Sequence, residues 1–143
     1  MRTSIRAVGL QVLSLHQFDV DFRHAKNVKL RGVQVFWDKP VLDTWKSALY
    51  FENVAGVQVD GFAAGSAPLP SPAPVVMLNQ VTDASIRNCR AADGTEVFLK
   101  IAGAATRGIR LKNNDFTKAK VSCQLGDDVA KGAVEGVPGT LSR

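Results

Sequence analysis

The chain alternates apolar and polar residues in a short phrase that recurs four times. The stretches HAKNVKLRGV (24–33), NVAGVQVDGF (53–62), QVTDASIRNC (80–89) and ATRGIRLKNN (105–114) align on one another without a gap. In each of them two apolar residues enclose one polar residue, which is the period of two that a half-buried strand requires. The two aligned apolar columns are Val28, Val57, Ala84 and Ile109, and Leu30, Val59, Ile86 and Leu111.

A second apolar strand precedes each phrase. Its apolar pairs are Val20 and Phe22, Leu49 and Phe51, Val76 and Leu78, and Leu99 and Ile101, the last fitting if about two extra residues occupy the stretch AGAA. The columns recur at intervals of 29, 27 and 25 residues. A period of this size, with more than one strand in each repeat, is typical of a solenoid.

Other repeat architectures fit the pattern less well. Leucine-rich repeats need a regular Leu scaffold, helical repeats need a 3.6-residue period, and a β-sandwich does not predict homologous phrases. We therefore predict an all-β fold, a parallel β-helix of about four to five coils that forms a single domain over residues 1–143. The clear repeats cover about 18–116, and residues 117–143 are expected to form a last partial coil and a tail.

Turns and two longer loops, which we call excursions, are predicted between the strands of the coils. Gly32, Gly61, Asn88 and Asn113 share the position just after the strand, where a positive φ is expected, and His24, Asn53 and Gln80 share a polar corner position. The segments 36–47 and 63–74 are predicted excursions from a coil, although the second has the composition of a linker, because the repeat resumes at Val75. Residues 1–17 are predicted to hold a first strand rather than a signal peptide.

Composition narrows the choice of partners. The net charge of +5 favours an acidic partner, but the charge is scattered without a Lys/Arg run, so nucleic acid is not expected. No apolar run approaches the ~20 residues of a membrane span. Cys89 and Cys123 fit neither a disulfide framework nor a zinc site and are predicted to be small buried hydrophobes. We expect no metal and no cofactor.

Three stretches carry a resemblance to a known family. FDVDFRHAKNVKLRGVQVFWDKP (18–40), SALYFENVAGVQVDGF (47–62) and VMLNQVTDASIRNC (76–89) resemble the pectin-lyase-like right-handed β-helices. Within that group they are most similar to the C-terminal coils of bacterial polygalacturonase-like glycoside hydrolases. The resemblance implies a right-handed solenoid, a bacterial origin, and an acidic polysaccharide such as polygalacturonate as partner.

The catalytic motifs of those hydrolases are missing. The sequence has no Asn-Thr-Asp, Gly-His-Gly or Arg-Ile-Lys, and only Gly126-Asp127-Asp128 has the composition of the paired-Asp motif. Asp127 and Asp128 are thus weak catalytic candidates for an inverting hydrolysis by two carboxyl groups. The alternative, which we prefer, is a surface turn before a short helix, where Asp is favoured as a cap.

Two groups of residues are candidates for substrate binding. Arg31, Asp60, Arg87 and Lys112 follow the aliphatic column on successive coils and could together bind a uronate carboxylate, or Asp60 could simply bridge Arg31 and Arg87 at the surface. Trp37 and Trp45 flank the first excursion, where they could stack on sugar rings or pack the loop onto the coil or a subunit interface.

Three functions remain open from the sequence. The first is a carbohydrate-associated β-helix that binds acidic polysaccharide without the family's catalytic motifs. The second is an active hydrolase or lyase that uses carboxylates among Asp60, Asp115, Asp127 and Asp128, with its site completed between subunits. The third is a structural or assembly module. Because a short β-helix must cover its ends, we expect a homo-oligomer formed through the coil ends or a flat face.

Overall fold

The structure is a computed structural model that describes residues 10–12, 18–35, 46–64, 73–137 and 141–142. Within these residues every regular element is a short β-strand, and none is a helix. The strands are β1 (Leu10–Val12), β2 (Phe18–Arg23), β3 (Lys26–Arg31), β4 (Val33–Val35), β5 (Ser47–Glu52), β6 (Ala55–Asp60), β7 (Ala63–Ala64), β8 (Pro74–Asn79), β9 (Thr82–Arg87), β10 (Arg90–Ala91), β11 (Thr95–Ala102), β12 (Arg107–Lys112), β13 (Ala119–Leu125), β14 (Val134–Glu135) and β15 (Leu141–Ser142).

Successive strands of the described chain contribute to three parallel sheets in turn. Sheet 1 has the order β1-β4-β7-β10, sheet 2 the order β2-β5-β8-β11-β13-β15, and sheet 3 the order β3-β6-β9-β12-β14. The turns that begin at β2, β5 and β8 each run through sheet 2, then sheet 3, then sheet 1, and each turn stacks upon the one before. After β12 and after β14 the described chain returns to sheet 2 without a strand in sheet 1. This arrangement is a parallel β-solenoid of about four turns, which confirms the predicted fold class.

The strand register follows the aligned phrases of the sequence. In sheet 3, Val28, Val57, Ala84 and Ile109 are paired in succession, as are Leu30, Val59, Ile86 and Leu111. In sheet 2, Leu99 is paired with Val76 and Ile101 with Leu78, so the two extra residues of the fourth repeat are absorbed in the turn at 104–105. The predicted apolar columns are thus the ladders that line the interior.

A continuous apolar core fills the interior between the three sheets. The residues of both predicted columns of sheet 3 are buried, and so are Leu49, Phe51 and Leu78 of sheet 2. Phe98 lies at the centre of an aromatic group, with its ring centroid 4.3 Å from that of Phe116 and 6.4 Å from that of Phe62. Close packing of this kind is the main source of stability in a solenoid, since each turn buries its apolar face only against its neighbours.

Residues with positive φ recur at three positions of the coil. They allow single-residue bends between the strands without a longer loop. The predicted corner is confirmed, because Gly32, Gly61, Asn88 and Asn113 all have φ between 54° and 78°. The predicted polar corner also has a positive φ at His24, Asn53 and Gln80. A third column with positive φ is formed by the second residues of β3, β6, β9 and β12. The members of the third column are Asn27, Gly56, Asp83 and Gly108.

The strands continue on both sides of the two predicted excursions. Their central parts, 36–45 and 65–72, lie outside the described residues. Ala63–Ala64 already forms β7, and Pro74 begins β8, so the ends of the predicted second excursion belong to the sheets. Beyond the clear repeats, β13 pairs with β11, β14 with β12 and β15 with β13, so the last part of the chain continues the same stack.

Candidate functional site

The four polar candidates at the ends of the sheet 3 strands lie side by side. Strand register pairs Arg31 with Asp60, Asp60 with Arg87, and Arg87 with Lys112. Adjacent strands lie ~4.8 Å apart, so the four residues form one row across the sheet. The structure therefore brings this predicted row together.

Asp60 holds the centre of that row through two neighbours on the next turn. Its Oδ2 lies 3.2 Å from Arg87 Nε, and its Oδ1 accepts a hydrogen bond from Asn88 Nδ2 at 2.9 Å. The Asn88 hydrogen bond is the main cause that lowers the pKa of Asp60. Desolvation opposes it, and the charges of Arg87 and Arg31 lower the pKa further. Among the described residues Asp60 forms its ion pair with Arg87, while Arg31 acts on it through its charge alone.

The distribution of charge separates sheet 3 from the rest of the molecule. The side chains that the structure describes include 14 Lys/Arg and 10 Asp/Glu, a net charge of +4. The strands of sheet 3 carry seven of these basic residues and three of the acidic ones, whereas the remaining side chains balance at seven and seven. The entire excess of positive charge in the described part of the chain thus lies on sheet 3, and we call its exposed side the basic face.

Six of the seven basic residues of this face lie in two matched rows, and each of these rows runs along one strand. Strand β3 carries Lys26, Lys29 and Arg31, and β12 carries Arg107, Arg110 and Lys112, all exposed. The register through β6 and β9 places these residues at the same three positions along the strand. Lys26 corresponds to Arg107, Lys29 to Arg110, and Arg31 to Lys112.

The two strands between the rows have a different character. At the matched positions β6 presents Ala55, Gln58 and Asp60, and β9 presents Thr82, Ser85 and Arg87. Asp60 and Arg87 neutralise each other, and Asp83 adds one negative charge. Asp83 lies against the next strand, since a Cβ placed on Gly108 would be 2.9 Å from its Oδ1. The face therefore has a neutral to slightly acidic centre between two basic rows, and on the outer side of the β12 row β14 places Glu135 opposite Arg110.

Asp127 and Asp128 lie at a turn that directly follows β13. The turn was predicted, but the helix expected after it does not form, because the described chain continues through further turns into β14. Asp128 Oδ1 accepts a hydrogen bond from Gly103 N at 3.1 Å, so this side chain fixes the turn to the preceding coil. A local capping preference cannot anticipate a bond to a residue 25 positions earlier.

The remaining predicted residues either lie outside the described part of the chain or have a structural role. Trp37 and Trp45 lie outside the described residues. Asp115 is exposed and accepts hydrogen bonds from the backbone N and the hydroxyl of Thr117, which lower its pKa. Cys89 and Cys123 are buried free thiols, as predicted, and burial raises their pKa values to about 11 and about 12.

The described part of the chain has neither a metal-binding cluster nor a membrane-spanning helix. It contains no group of three or more His, Cys, Asp and Glu side chains placed to hold a metal ion. It also contains no helix long and apolar enough to cross a bilayer.

The paired basic rows and one corner side chain were not predicted. Lys29 and Arg110 share a polar column in the aligned phrases, and comparing the first phrase with the fourth would have shown the match. Asn114 joins two coils, with Nδ2 donating to the Ile86 carbonyl at 2.9 Å and Oδ1 accepting from Cys89 N at 2.9 Å. The dipeptide Asn113-Asn114 offered no signal of this bridge, since it depends on which coil lies next to it.

Comparison with known proteins gives no relative from which a function could be transferred. The chain has no significant match to any protein-family model, any curated protein or any solved structure. Functional assignment therefore depends on the geometry and charge of the molecule itself.

Proposed function

We propose that this protein binds acidic polysaccharide through the basic face of sheet 3. The observation that supports the proposal is the location of the whole excess positive charge of the described side chains on that one face. Arg and Lys donate charge-assisted hydrogen bonds to carboxylates, and Arg offers two parallel donors. Because the parallel strands repeat the same positions at a constant spacing, the face suits a linear ligand with regularly placed anionic groups.

The resemblance of the repeats to pectin-lyase-like β-helices supports carbohydrate as the source of those anionic groups. On this proposal the chain is related to polygalacturonase-like hydrolases in fold and in substrate class, and polygalacturonate is the first ligand to test. The relation is part of the proposal and shares its test.

We further propose that the protein binds this substrate without cleaving it. The supporting observations concern the carboxylates nominated from the sequence. Asp60 is held by Arg87 and Asn88, Asp115 by Thr117, and Asp128 by the Gly103 amide. Three of the four nominated carboxylates thus have a structural partner, and the fourth, Asp127, is exposed at the same turn as Asp128. Release of reducing ends from polygalacturonate would refute this part of the proposal and leave the binding face untouched.

The test is the affinity for polygalacturonate, measured by isothermal titration calorimetry at low ionic strength. The double variant R110Q/K112Q removes two charges from the β12 row. Each lost exposed contact should cost about 0.7 kcal/mol of binding free energy, so the affinity should fall about tenfold. The matched control K100Q/K131Q removes the same total charge from outside the basic face, where Lys100 belongs to β11 and Lys131 to a turn. Its affinity should stay within about twofold of the wild type, since overall charge acts only weakly through salt.

Two results would overturn the proposal. An equal loss in both double variants would mean that net charge, and not the face, governs binding. Affinity for double-stranded DNA equal to that for polygalacturonate, with the same response to R110Q/K112Q, would identify a general polyanion surface instead of a carbohydrate site.

A further inference from the structure

The arrangement of charge within the basic face defines which acidic chain it suits. Rows on β3 and β12 are separated by two intervening strands, and hence by three strand spacings or ~14 Å. Along each strand the matched basic residues at 29 and 31, or 110 and 112, stand ~7 Å apart. The anionic groups of one ligand can therefore reach basic residues at two separated places on the face.

The centre of the face opposes a negative charge. Between the rows, Gln58, Ser85 and Thr82 offer neutral hydrogen-bonding groups, and the Asp60–Arg87 pair cancels itself. Asp83 remains exposed, with its carboxylate beside β12. A chain with a carboxylate on every sugar would bring some of them near Asp83, and like charges at ~5 Å repel even in water.

We propose that the basic face selects acidic polysaccharide in which charged sugars are separated by uncharged ones, with anionic groups on both rows and a neutral segment over β6 and β9. This inference rests on the proposed function and specifies the substrate of the same site. The neutral segment meets the amide of Gln58 and the hydroxyls of Ser85 and Thr82, which match sugar hydroxyls. Simultaneous contact with both rows makes the second contact intramolecular, which raises the affinity of any chain long enough to span them.

The experiment compares two sets of oligogalacturonates of equal length, one fully charged and one with about half of its carboxyl groups methyl-esterified. Titration calorimetry at low ionic strength measures the affinity for each set. The half-esterified oligomers should bind at least as tightly as the fully charged ones despite their smaller charge. Affinity should also rise at least about tenfold once the oligomer can span the ~14 Å between the rows.

Three variants locate the effect. K29Q/R31Q and R110Q/K112Q should each abolish the rise with length, because each leaves only one complete row and a single charge, Lys26 or Arg107, in the other. D83N should tighten binding of the fully charged oligomers about threefold to fivefold and that of the half-esterified ones less than twofold. Asn suits the left-handed backbone at position 83, since Asn27 adopts the same conformation in the same column.

The results separate this inference from the proposed function. Binding that rises with the number of carboxylates, shows no step with length, and responds equally to D83N in both sets would overturn the selection of spaced charges while leaving the binding face. Absence of binding to either set would overturn the proposed function and the inference with it.

Discussion

Asn114 offers the sharpest test of how the coils are held together. Its side chain is half-buried at a corner and satisfies two backbone groups of the preceding coil, the amide of Cys89 and the carbonyl of Ile86, both at 2.9 Å. In N114A the Cys89 amide loses the acceptor that the structure gives it, and the Ile86 carbonyl, which lies inside β9, loses one hydrogen bond. A buried backbone amide without a hydrogen bond costs about 1–3 kcal/mol, of which we take about 1.5 kcal/mol at this half-buried corner, and the bond lost by the carbonyl adds about 0.5 kcal/mol. The expected loss in the free energy of unfolding is therefore about 2 kcal/mol.

Urea unfolding and amide hydrogen exchange measure this loss. With a urea dependence of about 2 kcal/mol per M, the midpoint should fall by about 1 M, and the melting temperature by about 4–8 °C. Exchange at the Cys89 amide should accelerate more than at amides of distant coils. The matched control is Q58A, which truncates an exposed side-chain amide on β6 and should change stability by no more than about 0.5 kcal/mol.

A second substitution at the same position identifies the missing bond. N114D keeps an acceptor for the Cys89 amide but, when ionised, places an oxygen opposite the Ile86 carbonyl. The pKa of the introduced carboxyl group should be raised in the folded state, so its contribution to stability is present at low pH and is lost as the pH rises through that pKa. The deficit relative to the wild type should thus shrink in acid. If N114A matched Q58A and the deficit of N114D were independent of pH, water would be replacing the amide and the reasoning would fail.

Two further predictions concern a glycine at a bend and the ion pair of Asp60. G103A should lose at least about 2 kcal/mol of stability in urea unfolding, because φ is +102° and the new Cβ would lie 2.6 Å from Gln80 N. The control G94A also has a positive φ, +82°, but its Cβ would meet nothing within 4 Å, so it should lose only about 1 kcal/mol. Equal losses in the two variants would contradict the role of the contact. Since the Asn88 hydrogen bond and Arg87 lower the pKa of Asp60, its contribution, about 0.5–1 kcal/mol, should be present above pH ~4 and be lost as the pH falls through the lowered pKa. The difference in unfolding free energy between wild type and D60N should accordingly disappear in acid, and a difference that persisted at pH 2 would contradict this.

The parts of the fold that could be predicted are those that repeat. Val28, Val57, Ala84 and Ile109 must all face the core, so burial imposes a period of two that the aligned phrases show directly. The corner with Gly32 and Asn88 could be predicted because few residues tolerate a positive φ. In both cases a local preference and the global structure favour the same residue, and the repetition strengthens a weak signal.

The parts that could not be predicted depend on contacts between coils. The carboxylate of Asp128 accepts a hydrogen bond from the Gly103 amide, and this contact, not a helix, explains Asp128 in the acidic pair after β13. The bridge made by Asn114 likewise depends on the coil beneath it. The matched rows on β3 and β12 require the register of four strands, so a scattered charge in the sequence becomes an ordered one only in the solenoid.

The contrast between sheets 2 and 3 argues that the basic rows serve a ligand. On sheet 2, Arg23 pairs with Asp21 at 3.1 Å, and Lys120 pairs with Glu96 at 2.7 Å, so charges are compensated on the same face. On sheet 3, Arg107, Arg110 and Lys112 stand together on β12. The neighbouring β14 places one acidic side chain, Glu135, opposite Arg110, and the matched row on β3 carries the same sign. On the proposed function, a ligand with anionic groups at two separated places accounts for both the matched rows and the neutral centre between them.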